Sequence, residues 1–269
     1  MRSAFDLNTL SSLGRVQSVT TKAARRPRAF VRVKGPDAAD FLQRMVSNDV
    51  VAGETCEALL LTPKARVIAP LVVWRRGDDD FLLLTEPDLG ETVRAHLTRM
   101  RFAAKCEIER EEHSSTVVFG ETDGIPTRDY GVPAVEVLDA EVEPTVDDDE
   151  LERLRVEAGT PRWGREIDDR VLPAEARLDE RAISFDKGCY PGQEPIARLR
   201  YRGHVNRRLR VLDVAGAEPG DEIVRAEKTV GRITSAVGGA ALGYVRVGVP
   251  DDAELTVGGK PARLRGAEG

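Results

Sequence analysis

The amino-acid sequence predicts an α+β fold that ends in a small β-barrel. Short strand-like segments alternate with amphipathic helices up to Arg202, whereas the pattern after Val205 consists of strands and turns. The length of 269 residues allows two compact units or one elaborated unit. A content of 41% hydrophobic and 32% charged residues is typical of an ordinary soluble protein.

Charge and motifs exclude several classes of function. Forty basic and 46 acidic residues give a net charge of −6, which disfavours a general binder of polyanions. No window approaches the roughly 20 apolar residues that a bilayer span requires, so no membrane association is expected. Glycine-rich dinucleotide, P-loop and hydrolase signatures are absent from the sequence. The three cysteines form no CxxC pair and have no histidine at metal-ligand spacing, so we expect no metal site.

Residues 1–26 are predicted to form an N-terminal extension, which can be disordered. They contain no apolar stretch typical of a secretory signal, and Asp6 argues against a transit peptide. A cytoplasmic location is therefore preferred to the mitochondrial matrix.

The first strand and helix are predicted between residues 29 and 46. Ala29–Lys34 alternates as a strand does, and the turn residues Gly35–Asp37 lead into a helix. The apolar face of this helix consists of Phe41, Leu42, Met45 and Val46.

Three further strands and a second helix follow. Apolar runs separated by turn residues predict an antiparallel meander over Ala58–Leu61, Val67–Trp74 and Phe81–Thr85. Asp88 is the expected N-cap of the helix, whose apolar residues recur at helical spacing up to Met100. Two more strands are predicted at Cys106–Arg110 and Thr116–Phe119.

A third helix is predicted after the acidic run Asp147–Glu150, because carboxylates stabilise the N-terminus of a helix. A metal site is the weaker interpretation of this run. Gly159 has the position of a C′ residue, so Glu157 falls in the last turn, where the helix dipole disfavours a carboxylate. A carboxylate placed against this preference suggests a functional reason.

The region over residues 201–269 is predicted to be the β-barrel, and residues 27–200 the α+β region before it. Strand-like segments separated by glycine-rich turns are typical of small barrels. The segments are Arg208–Val214, Val230–Ala236 and Ala241–Val247.

The densest local signal is the segment Lys187–Glu194, which has the sequence KGCYPGQE. Its residues Tyr190–Gln193 fit a type II turn, because Pro191 fixes φ and Gly192 supplies a positive φ. Pro195 suits the first position of a following helix.

Cys189 within this segment has two interpretations. A position near the helix N-terminus and near Lys187 would stabilise a thiolate that is presented to solvent. Alternatively, Cys189 is a small hydrophobic residue packed beneath the turn.

Residues 198–210 hold six arginines, interleaved with Tyr201 and His204, and no acidic residue. An RNA interface is one interpretation, since arginine and aromatic side chains suit phosphates and bases. A pocket for a polycarboxylate tail is the second. A solvated surface is the third, because arginine is common throughout this chain.

The segment KGCYPGQE resembles the KGCYxGQE signature of the YgfZ-type folate-binding proteins, relatives of the glycine-cleavage T-protein, an aminomethyltransferase. The resemblance covers about residues 27–250 and includes Gly35–Ala38, Ser47–Val50 and Arg155–Pro161. It implies a ring-like T-protein-type folate-binding fold of α+β subdomains, one of them ferredoxin-like, followed by the barrel. The central hole of the ring is expected to hold tetrahydrofolate.

The resemblance also implies roles for single residues. Glu157 matches the glutamate of the T-protein's RxEAG segment, which contacts the pterin. Arg198 and Arg202 are the candidates for binding the glutamate tail of the folate. Cys189 and Lys187 are the candidates for chemistry. Further candidates for folate contacts are Asn48, Tyr190, Gln193 and Glu194.

The chain departs from the T-protein at one place that matters for function. The aminomethyltransferases have an acidic pair in a strand where this chain has Ala69 and Pro70. The T-protein, conversely, lacks the cysteine that this chain has as Cys189.

The resemblance therefore implies a tetrahydrofolate-binding accessory protein in iron–sulfur cluster assembly or repair. It would support cluster-dependent enzymes, including tRNA-modifying ones, and its partners would be these client enzymes or cluster-assembly proteins. The alternatives are a folate-dependent aminomethyltransferase and a tRNA-binding module.

Overall fold

A computed structural model describes residues 22–120 and 122–266 of the chain. Within them the protein has 15 strands and four α-helices, arranged as a five-stranded sheet, a four-stranded sheet and a closed barrel. The helices are α1 (Ala38–Met45), α2 (Gly90–Met100), α3 (Asp148–Glu157) and α4 (Gln193–Arg202). The strands are β1 (Ala23–Arg25), β2 (Ala29–Lys34), β3 (Thr55–Leu61), β4 (Val67–Arg75), β5 (Asp80–Thr85), β6 (Glu107–Glu111), β7 (Ser115–Phe119), β8 (Ile125–Thr127), β9 (Ala134–Leu138), β10 (Arg207–Asp213), β11 (Glu222–Arg225), β12 (Lys228–Val237), β13 (Ala240–Arg246), β14 (Leu255–Val257) and β15 (Lys260–Leu264).

The five-stranded antiparallel sheet has the order β3-β4-β5-β2-β6, and α1 and α2 pack on one of its faces. The predicted meander is confirmed. Both faces are covered, because Ala58 and Leu60 belong to the core under the helices while Leu59 and Leu61 belong to a second core. This explains why the strand is apolar without alternation. The element order β2-α1-β3-β4-β5-α2-β6 has one strand more than a ferredoxin-like βαββαβ unit.

The four-stranded sheet has the order β1-β7-β9-β8, and α3 packs against it. Its strand β1 lies within the predicted extension over residues 1–26. Ala24 pairs with Val117 of β7 and is buried. The boundary after residue 26 is therefore too late, and residues 1–21 lie outside the described part of the chain.

The third helix has the predicted caps. The Asp147 carboxylate accepts a hydrogen bond from the Glu150 backbone N–H at 2.8 Å, which satisfies a free donor at the helix N-terminus. Gly159 follows the helix with a φ of +73°, as a C′ glycine does.

Two of the predicted helix starts are wrong. Asp88 lies inside a 3-10 turn, Pro87–Leu89, that precedes α2, and it forms no cap. The last helix begins at Gln193, so Pro195 is its third residue.

The barrel is closed, with the strand order β10-β13-β12-β11-β14-β15. The longest pairing joins β10 to β13, from Arg207 opposite Arg246 to Asp213 opposite Ala240. The predicted α+β fold with a terminal barrel is confirmed. The predicted boundary at residue 201 falls inside α4, and the first barrel strand begins at Arg207.

A buried polar network joins α3 to the barrel. The Arg155 guanidinium lies 3.0 Å from a Glu166 carboxylate oxygen and donates to Ser235 Oγ at 2.9 Å. Ser235 Oγ in turn donates to the other Glu166 oxygen at 2.6 Å, and the Tyr244 hydroxyl donates to the Glu166 carbonyl oxygen. Removing one partner of such a network leaves an uncompensated buried charge.

Replacing Arg155 by Met should therefore lower the free energy of unfolding by about 3–5 kcal/mol, because Glu166 stays buried without its cation. Urea denaturation followed by circular dichroism measures this change. Arg170→Met is the matched control, since Arg170 is exposed and its ion pair among the described residues is with Asp168, and it should leave the stability unchanged. Equal effects of the two substitutions would show that the network does not stabilise the fold.

Candidate functional site

The loop that carries Cys189 is anchored at its start by Lys187. The Lys187 ammonium donates hydrogen bonds to the backbone oxygens of Val46 and Asn48, at 2.8 and 2.7 Å. Burial lowers the pKa of Lys187 to about 8, against the opposing attraction of Asp49 and Cys56. These hydrogen bonds show that Lys187 fixes the loop to the α1–β3 connection.

The end of the loop is fixed by the predicted type II turn, which is confirmed. The Gln193 N–H donates to the Tyr190 oxygen at 3.2 Å, and Gly192 has a φ of +86° and a ψ of 0°. A Cβ atom at Gly192 would lie 2.7 Å from the oxygen of Thr62, so only glycine fits here. Tyr190 is buried, with 7% of its surface exposed.

Cys189 is exposed between these two anchors, whereas Cys56 is half-buried and Cys106 is buried. The interpretation of Cys189 as a thiol packed beneath the turn is therefore wrong. Cys56 is a residue of β3 and lies near Lys187. Burial raises the pKa of Cys56 to about 12, although Lys187 opposes the rise, so this thiol is protonated at neutral pH.

Glu157, at the end of α3, lines a cavity of about 890 Å³. One of its carboxylate oxygens accepts a hydrogen bond from Arg153 at 2.6 Å. The other lies 4.0 Å from the Arg265 guanidinium and accepts no hydrogen bond from a described residue. This oxygen is free to accept an N–H group of a ligand.

The remaining predicted folate residues do not lie in this cavity. Arg198 and Arg202 line a different cavity, which shares no lining residue with the one at Glu157. The side-chain amide of Asn48 donates to the backbone oxygens of Glu57 and Arg181. The other three lie in or beside the turn before α4, outside the lining of the Glu157 cavity. They are Tyr190, Gln193 and Glu194.

Largely buried ion pairs join the two sheets. Arg28, between β1 and β2, pairs with Glu136 of β9 and lies 3.7 Å from Asp129. Arg181 pairs with Asp129 at 2.6 Å and with Glu57 of β3. The sequence analysis missed these residues, because each stands alone in the sequence and belongs to none of the motifs considered.

The central cavity that remains has a volume of about 60 Å³, whereas pockets for small molecules have roughly 300–1,000 Å³. This part of the cavity alone is too small for tetrahydrofolate, and a folate site in the centre stays a prediction. The cavity at Glu157 adjoins the centre, and both are lined by Tyr130, Thr160, Pro161, Leu178 and Arg181.

Neither a membrane span nor a metal centre is apparent in the described residues. Within residues 22–120 and 122–266, no helix is long and apolar enough to cross a bilayer. The same residues contain no group of three or more histidine, cysteine, aspartate or glutamate side chains that could hold a metal ion.

Known proteins match both the chain and its fold. The C-terminal β-barrel domain of CAF17 matches residues 206–268. An uncharacterized protein of Haemophilus influenzae is 30% identical over 77% of this chain and 81% of its own length. The mitochondrial iron–sulfur cluster assembly factor IBA57 homolog of Pyricularia oryzae is 24% identical over 89% of this chain and 74% of its own. The tRNA-modifying protein YgfZ of Cronobacter sakazakii is 25% identical over 72% of each chain.

The fold resembles that of a solved T-protein. The glycine cleavage system aminomethyltransferase T from Bartonella henselae superposes with a TM-score of 0.79 at 19% identity, over 92% of this chain and 86% of that one. This likeness confirms the predicted T-protein-type fold. The matching relatives and the match of the C-terminal barrel show that the chain belongs to the CAF17/YgfZ/IBA57 family.

Proposed function

We propose that this protein is a tetrahydrofolate-binding accessory protein in iron–sulfur cluster assembly or repair. It supports cluster-dependent enzymes, including those that modify tRNA. The names of two relatives support this proposal, since one is a cluster assembly factor and the other a tRNA-modifying protein.

The observation that carries the proposal is the exposed Cys189 thiol on an immobilised loop. Its neighbours Lys187 and Tyr190 are held by the α1–β3 connection and by a tight turn, so the loop presents the thiol at a fixed place. A reactive cysteine has to be accessible, and the other two cysteines of the chain are half-buried or buried.

A single thiolate does not hold a cluster by itself, since clusters are held by about four protein ligands. The described residues provide no further group of metal ligands. Cys189 therefore acts together with ligands of a partner protein, and the cluster is the cargo that passes between them.

Tetrahydrofolate fits the cavity at Glu157 by its size and its donor set. The free Glu157 oxygen suits the N–H groups of a pterin. When bound, the folate supplies the capacity to carry one-carbon groups.

Aminomethyl transfer, the alternative function, is disfavoured by the residues that stand in place of the acidic pair and by the ion pairing of the carboxylates in the central cavity. The strand position of the acidic pair holds Ala69 and Pro70, neither of which ionises. Among the described residues that line the central cavity, every carboxylate is ion-paired with an arginine. These carboxylates are Glu57, Glu86 and Asp129.

Calorimetric titration tests the folate site. Wild-type protein should bind tetrahydrofolate, and Glu157→Gln should weaken binding about tenfold or more, because a charge-assisted hydrogen bond is lost. Glu150→Gln is the matched control, since Glu150 also pairs with Arg153 but does not line the cavity. Equal affinities of wild type and Glu157→Gln would remove Glu157 from the site, and no binding by wild type would remove the folate from the proposal.

The thiol role is tested in cells whose own copy of the gene is deleted. Complementation with Cys189→Ala should leave the activities of cluster-dependent enzymes close to those of the deletion strain, most clearly under oxidative stress. Cys56→Ala is the matched control, and it should restore them. Wild-type activities with Cys189→Ala would eliminate the thiol role.

A further inference from the structure

A second cavity, of about 580 Å³, lies between α4, residues 172–185 and the start of the barrel. We call it the α4 pocket. Its apolar wall is formed by Ile183, Phe185, Ile196, Leu199 and Val205. None of these residues lines the cavity at Glu157, so the two cavities are separate.

The edge of the α4 pocket is strongly basic. Among the described residues, neither Arg200 nor Arg202 has a carboxylate within 4.0 Å, although most arginines of the described chain are ion-paired. The Arg200 guanidinium lies 3.8 Å from the ring centroid of Phe185. Arg198 and Arg208 also line the pocket, but they already lie 2.9 Å from Glu194 and 4.0 Å from Glu180, respectively. The unpaired charges of the described lining are therefore those of Arg200 and Arg202. An anion from outside the chain would complement these charges.

One buried acceptor of the α4 pocket also lacks a partner. Asp179 Oδ1 is buried and receives no hydrogen bond from a described residue. Leaving a buried polar atom unsatisfied is costly. A ligand that brings a hydrogen-bond donor, such as a peptide N–H group, would satisfy this atom.

The α4 pocket borders the Cys189 loop on both sides. Phe185 comes shortly before the loop and Pro195 shortly after it, and both line the pocket. Ala65 lines it as well, and a Cβ atom at Gly192 would lie 3.1 Å from Ala65 Cα. A molecule seated in the pocket is therefore next to the loop that presents the thiol.

We propose that the α4 pocket docks an acidic segment of the protein that exchanges the cluster with Cys189. One apolar side chain of that segment enters the pocket, and its carboxylates pair with Arg200 and Arg202. This inference rests on the proposed function and names the chemistry of the partner.

The pocket is less suited to RNA than to a peptide. Tyr201 is 71% exposed but does not line the pocket, and the ring of Phe185 is already covered by Arg200. His204 is the one other aromatic ring among the described residues that line the pocket, so base stacking, which contributes much of single-strand binding, has at most one platform there. The apolar concave wall instead suits an aliphatic or aromatic side chain.

Fluorescence anisotropy with the full-length protein tests the proposal. The probe is a labelled peptide of Asp and Glu residues around a central Leu-Phe pair. A peptide with Ser-Ser in place of Leu-Phe, a peptide with Lys in place of the acids, and a polyuridine of equal length serve as comparisons. The acidic Leu-Phe peptide should bind more tightly than all three.

Two variants and a control locate the binding. Arg200→Glu/Arg202→Glu and the pocket-filling Ala174→Trp should each weaken binding of the acidic peptide about tenfold or more. The matched control is Arg225→Glu/Arg263→Glu, which reverses two exposed barrel arginines outside the pocket and should leave the affinity unchanged. Absence of binding, equal affinity in all variants, or tighter binding of polyuridine would each overturn the proposal.

Failure of the docking proposal is distinguishable from failure of the proposed function. If Arg200→Glu/Arg202→Glu supports cluster-dependent enzymes fully in cells while Cys189→Ala does not, the docking proposal is overturned and the thiol role stands. If both variants fail to support these enzymes and only the arginine variant loses the peptide, docking next to Cys189 is supported.

Discussion

The fold depends on the ion pairs that Arg28 and Arg181 make at the centre of the molecule. Charges removed from water have to be paired, so Glu57 and Asp129 have to meet these arginines. The ion pairs therefore join three parts of the chain. These are β3 of one sheet, the segment after β8 of the other sheet, and the segment that leads to α4. The larger spaces for ligands are the cavities at Glu157 and at α4, of about 890 and 580 Å³.

The hydrogen bonds around these ion pairs also determine where the Cys189 thiol lies. Asn48 donates to the Arg181 oxygen, Ser47 Oγ donates to the Ala182 oxygen at 2.6 Å, and Lys187 donates back to Val46 and Asn48. The α1–β3 connection therefore holds the chain from the central ion pairs to the Cys189 loop. The thiol is exposed, but its position follows from buried hydrogen bonds.

Local sequence patterns predicted the elements whose conformation depends on neighbouring residues in the sequence. The strands of the meander, the turn at Gly192 and the C′ glycine at Gly159 follow from apolar runs and from glycine's backbone freedom. Strand β1 was missed because its three residues, Ala-Ala-Arg, carry almost no pattern and are held by distant partners, namely β7 and the segment at Thr145 and Val146. The separation of Arg198 from Glu157 was missed because it depends on how distant elements pack.

The central claim is that the Cys189 thiol is the group that works on clusters. It is tested most directly by reactivation of a purified, oxidatively damaged cluster-dependent hydratase with iron, sulfide and a thiol reductant. Wild-type protein and Cys56→Ser should accelerate the recovery of hydratase activity, whereas Cys189→Ser should leave the rate at that of the mixture without the protein. Acceleration by Cys189→Ser equal to that by wild type would contradict the claim.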